Sequence, residues 1–482
     1  MTSLRVAATI MVASAQLTSA AGATRPDFAD NLRRAITVSG QENVRFRLAD
    51  RMAHYLVPAV SVAIIQDCRI VELRAFGTAA PGRPANSRTL FQAGSLSKTF
   101  TAVAALRLVE QGRLSLDVDV RPLLTSWRLP DSPLLEGRTV TLRGLLSHTA
   151  GINQEGGNGY VRGARLPSLR EILDGSPPAN TDPIRVIAAP GTAWHYSGGG
   201  YYITQALMQD VSSSDFPQLM ARLVIRPLGL RDSHFSQPLD RRLEPRAATA
   251  AGPDGTPLAG GWRVNPELAA GGLWTTPGDI ARLLIAIARS VRGERGGILT
   301  RQLAAQFMTR GPGNWGLGVD LGRLGSAPHF GHTGHNIGFV SEYVMYPDSC
   351  QGAVVMTNAD QGGWLASEIL SAIGEAYGWP NRTPPVVQAA IPLTDRISQR
   401  FVGTWRLRDF PAERFSISRR ASGLYWARVG YVGRDLLPEA EGQLFSPDSR
   451  MILEAADPTA ERAATLSLSF GSGRNVAERI AD

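Results

Sequence analysis

Ser95 and Lys98, in the stretch FQAGSLSKTF (residues 91–100), have the residue types and spacing of an activated nucleophile. A serine hydroxyl attacks a carbonyl only when a neighbouring group takes its proton. Three positions apart on a helix, two side chains share one face within hydrogen-bonding reach. Lysine can accept that proton because burial disfavours its charged form, whereas a guanidinium stays protonated. The distinction matters in this chain, where Lys98 is the single lysine among 50 basic residues and the other 49 are arginines. A position needing only positive charge would have tolerated arginine, so this one needs a group that can lose its proton. Ser97, one position from Lys98, does not share its face and reads as a capping residue.

The elements that must hold these residues follow from periodicity. Residues 60–77, VSVAIIQDCRIVELRAFG, form two β-branched runs around a polar tip and predict a hairpin. TFTAVAALRLVEQGRL, directly after Lys98, has apolar residues at helical spacing that stop at Gly112. TTPGDIARLLIAIARS (275–290) predicts a helix with Thr276 as N-cap and Pro277 at the first helical position. Residues 338–358 again read as strand, tip, strand, and an amphipathic helix, WLASEILSAIGEAYGW, follows. Residues 150–190, rich in Gly, Pro and Asn, predict long loops of the kind that line a site. A Pro-rich linker at 380–392 leads to short alternating runs over 393–482, which predict a small all-β, barrel-like module. No internal repeat is present.

Composition narrows the class. With 482 residues, 43% hydrophobic and 19% charged, the chain suits a globular protein of two or three domains. Its start combines a basic MTSLR, an apolar VAATIMVASAQL too short to span a bilayer, and small residues ending at Ala23. Residues 1–23 therefore read as a cleaved signal peptide, giving an exported protein, periplasmic or secreted. No other run is long enough for a transmembrane segment. The net charge of +8 comes from arginines spread through the chain, without a dense basic run or aromatic interleaving, which argues against a nucleic-acid partner. The two cysteines, Cys68 and Cys350, sit in polar, turn-like settings, and no Cys/His spacing has the form of a zinc site.

The motifs FQAGSLSKTFTA, LVEQGRLSLDVDV, LRGLLSHTAGI, PGTAWHYSGGGYYI, GGLWTTPGDIARLL and FGHTGHNIGF occur in one order over about residues 45–378. In them the chain resembles the serine β-lactamase-like hydrolases: class C β-lactamases, D-alanyl-D-alanine carboxypeptidases, D-aminopeptidases and related esterases. The resemblance implies an α+β fold over residues 28–379, with an antiparallel five-stranded sheet flanked by helices and a mostly helical subdomain. It also likens the C-terminal module to lipocalin-like domains. By position, Ser95 is the expected nucleophile, Lys98 its activating neighbour and Tyr196 the phenol that relays a proton to and from the leaving group; Tyr201 and Tyr202 lack that position. His332-Thr333-Gly334 stands where the family has Lys-Thr-Gly, as a substrate-binding wall. The backbone N–H groups of Ser95 and His335 are the expected oxyanion hole.

Two departures from the family pattern bear on substrate. Tyr-x-Asn reads Tyr196-Ser197-Gly198, which removes a substrate-contacting amide and is expected to leave room at Gly198 for a bulkier acyl group. The Lys-Thr-Gly lysine is His332, mostly neutral at pH 7 and a poor anchor for a β-lactam carboxylate. The family's sheet also brings the tips holding Cys68 and Cys350 together, implying a Cys68–Cys350 disulfide in keeping with export.

Other polar residues take structural readings. His329, His332 and His335 are spaced by three, which alternates faces along a strand, so they do not converge on a metal. His148 is expected to hold a loop, and Asp117 and Asp119 to serve turns and caps. The expectation is thus an exported serine hydrolase forming an acyl-enzyme on Ser95. Its substrates would be D-amino-acid peptides, cell-wall fragments or small esters, and neither metal nor organic cofactor is implied. The rival readings are a class C-type β-lactamase and a catalytically dead module that binds peptidoglycan or antibiotics. The oligomeric state is not legible.

Overall fold

The computed structural model describes residues 25–322, 327–380, 386–421, 423–429, 431–470 and 473–480. The signal expected at 1–23 lies outside them. Strands β1 (Ala59–Gln66), β2 (Arg69–Ala80), β3 (Arg83–Pro84), β4 (Phe330–Asn336), β5 (Phe339–Tyr346) and β6 (Gln351–Thr357) form one sheet in the order β3-β2-β1-β6-β5-β4. The sheet is therefore six-stranded rather than five-stranded. The addition is the two-residue β3, which folds back on the end of β2 across a register shift. Pairings between the five longer strands are antiparallel, as expected.

Strand β1 is buried on both faces, and its alternation assigns its residues to two cores. Ala59, Ala63 and Ile65 join the larger core, and Val60, Val62 and Ile64 join the second. Helix α3 (Pro277–Arg292) packs on one side of the sheet and α4 (Gly362–Ala376) on the other. The start of α3 follows from its sequence: the Thr276 side chain accepts from Asp279 N, and Pro277 occupies the first turn, where no donor is needed. Gly293, in the left-handed region at φ 70°, ends it.

Three regions differ from expectation. The stretch 150–190 is not all loop: Tyr160–Val161 pairs with Arg263–Val264, and α2 (Leu169–Asp174) is a helix with a Ser168/Glu171 capping box. That helix is six residues long, too short for its periodicity to stand out among the glycines and prolines. The expected linker is partly structured, since Val386–Gln388 pairs in parallel with Ile36–Val38. The C-terminal module is not all β, because a helix, Asp395–Phe401, leads into it.

That module is a closed barrel of β7 (Gly403–Leu407), β8 (Arg414–Arg420), β9 (Gly423–Ala427), β10 (Arg434–Ala440), β11 (Gln443–Phe445), β12 (Met451–Ala455), β13 (Thr465–Phe470) and β14 (Gly473–Arg479). Trp405, Phe415, Leu436, Leu453 and Leu466 are among the side chains that pack its interior. The barrel docks through Asp448, whose side chain is fully buried against Arg51 (2.7 Å), Arg34 (3.1 Å) and His54 (3.1 Å). Burial would raise the Asp448 pKa, but the hydrogen bond to His54 and the charges of Arg34 and Arg51 outweigh it and hold the carboxyl well below the usual carboxylate range. Arg51 also bonds Glu368 of α4 at 2.6 Å, so the lock joins the barrel to the back of the sheet.

The hairpin tip of β1–β2 and the turn before β6 meet as the resemblance implied. Cys68 and Cys350, 282 positions apart in sequence, form a disulfide with Cα atoms 5.0 Å apart. Cross-linking so distant a pair restricts the unfolded chain. Replacing both cysteines with serine is expected to lower stability by about 2–4 kcal/mol in reversible urea unfolding, without changing the sheet.

Candidate active site

Ser95 lies in a 3₁₀ turn, Gly94–Leu96, that runs directly into helix α1 (Ser97–Glu110). Residues 89 to 106 are buried except Ser95, which is half-exposed. The turn is fixed from below by Ser97, whose hydroxyl donates to Gly94 O (2.7 Å) and accepts from Leu273 N (3.1 Å). Ser97 is therefore a structural fastener, as its position on the helix implied.

Lys98 is 1% exposed, and its Nζ lies 2.9 Å from Ser95 Oγ and 3.1 Å from Ala270 O. The amine sits over the rings of Tyr196 (5.0 Å) and Tyr201 (5.5 Å). Among the described residues no carboxylate pairs with it. Its surroundings are one hydroxyl, one carbonyl and two aromatic faces, which position the amine without a permanent counter-charge.

Strand β4 forms the facing wall, and two glycines set how close it comes. A Cβ on Gly334 would stand 2.0 Å from Ala93 O, and one on Gly94 (φ +53°) would stand 2.6 Å from His335 N. Only glycine at both places allows this main-chain contact. It brings the backbone of Thr333–His335 against the Ser95 turn, with the His335 N–H beside it. The His335 ring is turned away and bonds Asp360 at 2.8 Å.

His332 points inward. It is 4% exposed, and its Nδ1 lies 2.5 Å from Thr333 O. Its Nε2 is buried without a hydrogen-bond partner among the described residues. Burial, reinforced by the charge of Lys98, brings its pKa down to about 3, so the imidazole is neutral at physiological pH. Around it stand Trp315 (ring centroids 5.2 Å) and Tyr196 (6.4 Å). Trp194 lies 5.8 Å from Trp315, which makes this wall aromatic. Sequence reasoning passed over Trp194 and Trp315. Trp194 stood two residues from Tyr196, but Trp315 sits in GPGNWGLG, where nothing local signals proximity.

His148 holds the Tyr196 loop. Its Nδ1 accepts from Ser197 N (3.0 Å), its carbonyl accepts from His195 N (2.9 Å), and its ring lies 4.4 Å from that of Tyr196. Burial, then the nearby charge of Lys98, pushes its pKa well below the ordinary histidine value. Asp117 and Asp119 pair with Arg143 and Arg121, both surface bridges. His329 leans on Tyr346 (5.4 Å), so the three β4-region histidines have separate surroundings. Among the described residues no group of three or more His, Cys, Asp or Glu could hold a metal.

The expectation of space at Gly198 is corrected. A Cβ there would lie 2.8 Å from Glu155 O, because the chain at 154–155 crosses directly over it. Gln154 O accepts from both Gly198 N (2.7 Å) and Gly199 N (3.0 Å). Main chain, not cleft, fills the volume in the direction of the missing side chain.

The fold and this arrangement define a serine hydrolase built on a β-lactamase-type sheet. A profile of the Beta-lactamase family matches residues 44–377, and the chain belongs to that family. It is 27% identical over 356 residues to penicillin-binding protein 4 of Amycolatopsis lactamdurans, covering 68% of this chain and 87% of that one. It is 26% identical over 306 residues to the D-alanyl-D-alanine-carboxypeptidase/endopeptidase AmpH of Escherichia coli (strain K12), covering 59% and 75%. The octameric penicillin-binding protein homologue from Pyrococcus abyssi has the same fold, with a TM-score of 0.56 and 21% identity over 89% of this chain and 98% of that one.

Two outcomes check this geometry. Gly198→Asn, which writes the family's amide back in, forces the 154–155 backbone to move. It is expected to lower stability by about 1–3 kcal/mol and to leave cephalosporin hydrolysis no faster than in the parent. His332 is neutral when folded and titrates near 6.5 when unfolded, so between about pH 6.5 and 3 the unfolded chain binds the extra proton. The stability tied to its neutral form is complete above pH 6.5 and is lost as pH falls towards 3. Melting temperatures measured from pH 7 to 4 are expected to fall less steeply in His332→Asn than in the parent.

Proposed function

We propose that the protein is an exported hydrolase that cleaves D-amino-acid peptides or small esters through an acyl-enzyme on Ser95. The observation that carries this reading is the 2.9 Å contact between Ser95 Oγ and the buried Nζ of Lys98, the chain's one lysine. In the amine form, Lys98 takes the Ser95 proton as Oγ bonds to the substrate carbonyl carbon. The backbone N–H groups of Ser95 and His335 receive the negative charge on the carbonyl oxygen. Tyr196, its ring beneath the Lys98 amine, passes a proton to the departing amine or alcohol as the acyl bond breaks. A water molecule then adds to the acyl carbon, giving up its proton to the same relay, and Ser95 leaves with its hydrogen restored.

Two features favour peptides and esters over β-lactams. A neutral, buried His332 provides no fixed charge for the β-lactam carboxylate. The position of the family's amide is occupied by Gly198 under the 154–155 backbone. Kinship with a D-alanyl-D-alanine-carboxypeptidase/endopeptidase supports the D-amino-acid class. The Cys68–Cys350 disulfide supports export, because such bonds persist in oxidising compartments. Among the described residues no helix is long and apolar enough to cross a membrane. The C-terminal barrel, whose eight strands suit the lipocalin-like expectation, is proposed to shape access to the cleft.

The test is labelling of Ser95 by a fluorophosphonate, together with turnover of p-nitrophenyl esters and D- and L-amino-acid p-nitroanilides. Lys98→Arg keeps charge and removes the proton acceptor, and is expected to lower kcat by at least ~100-fold, the low end for loss of a general base. A Lys98→Arg protein with full activity, or an unlabelled Ser95 with Ser95→Ala as active as the parent, would overturn the reading.

A further inference from the structure

We propose that the cavity between the barrel mouth and helix α4 is a second binding site, for a small carboxylate with a flat apolar body, held by Arg434. The cavity measures about 340 Å³, within the range of small-molecule pockets. Phe415, Trp426, Tyr431 and Leu468 of the barrel and Trp364 of α4 supply much of its apolar wall.

Arg434 breaks the pattern of its strand. Along β10 the buried positions alternate as Arg434, Leu436 and Pro438, so a guanidinium takes a buried position on the same face as Leu436. It is 5% exposed and lies over the Trp364 ring at 4.6 Å. Its Nη1 is buried with no hydrogen-bond partner among the described residues. Trp426 is its cross-strand partner, and Trp426 Nε1 is likewise buried and without a partner. Two adjacent, unsatisfied donors, one of them charged, are costly unless something accepts from them.

The nearby acids are already engaged. Asp448 is shared by Arg34, Arg51 and His54. Glu368 bonds Arg51. Asp360 accepts from His335 and from Gly338 N, and Glu413 pairs with Arg428. Burial depresses the Arg434 pKa against the opposing pull of Tyr55 and Asp448. A ligand carboxylate has two acceptor oxygens and one charge, matching one guanidinium and one indole N–H. Four aromatic rings, Trp364, Phe415, Trp426 and Tyr431, line the cavity beside these two donors and suit a flat apolar body, while Gln361, Arg414, Arg428 and Asn475 line its polar part. The shared chemistry, an apolar body ending in a carboxylate, fits either a free acid or the far end of a substrate that extends past His335, since Asp360 belongs to both the cavity wall and the His335 contact.

The probe is 2-naphthoate, with 2-naphthalenemethanol as its uncharged counterpart, titrated calorimetrically into the full chain. The expected result is 1:1 binding of the acid, at least ~10-fold tighter than the alcohol and at least ~10-fold weaker in Arg434→Met, with p-nitrophenyl acetate turnover unchanged. Trp426→Phe, which removes one N–H and keeps the ring, gives a second reading of several-fold weakening should Arg434→Met fail to fold. Equal affinity for acid and alcohol, or unchanged affinity in a folded Arg434→Met, overturns the site. Retained binding after fluorophosphonate labelling of Ser95 supports it, whereas loss on labelling would place the ligand in the cleft and overturn it. A KM increase in Arg434→Met confined to esters carrying a distal carboxylate identifies the substrate's far end as the occupant. Calorimetric binding without that increase identifies a free acid.

Discussion

The candidate site depends on a contact between two stretches of main chain. Strand β4 lies so close to the turn carrying Ser95 that Gly334 and Gly94 have no room for a Cβ. Side chains could not set this distance as rigidly, because rotamers move and peptide units in packed elements do not. The sheet holds one partner and helix α1, anchored by Ser97 beneath it, holds the other. The rest of the fold keeps those two supports in register: α3 and α4 clamp the sheet, and the disulfide ties the β1–β2 tip to the turn before β6.

Within that frame, Lys98 is a buried basic residue with no carboxylate partner among the described residues. Charged groups inside proteins are ordinarily paired, and this chain pairs its buried Arg51 with Glu368 and Asp448. Among the described residues Lys98 is surrounded by a hydroxyl, a carbonyl and two aromatic faces. Burial, with the protonated form of Lys98 adding to it, keeps His148 and His332 neutral. Lys98 and the two imidazoles are therefore electrostatically coupled. Neutral His332 with Trp194 and Trp315 makes an aromatic wall without a fixed charge. Arg434, also buried and with its Nη1 unpartnered among the described residues, stands at the barrel mouth.

Several parts of this structure were legible because they are local. Thr276 and Pro277 announce the start of α3 by capping chemistry, and the β-branched run VSVAII announces one strand of a hairpin. Tyr196 could be placed only by motif order, since Tyr201 and Tyr202 have the same residue type. The helix at 169–174 and the strand at 386–388 escaped notice because short elements draw their stability from partners distant in sequence. Gly198 shows the limit most plainly. A glycine reads as open space, yet residues 154–155 pass over it, and no periodicity reports such a crossing.

The sequence by itself determined the chemistry available: a serine and the single lysine three residues apart, a histidine where charge was dispensable, and two cysteines in turns. Residue type decides whether a group can lose a proton, and three-residue spacing places two such groups on one face of a helix. Tertiary structure decided what surrounds that pair. The close approach of β4, the aromatic wall of Trp194 and Trp315, and the buried Arg434 against Trp364 each join segments that are not neighbours along the chain. Their distances follow from how the sheet, helices and barrel pack, and packing is a property of the whole chain rather than of any stretch of it.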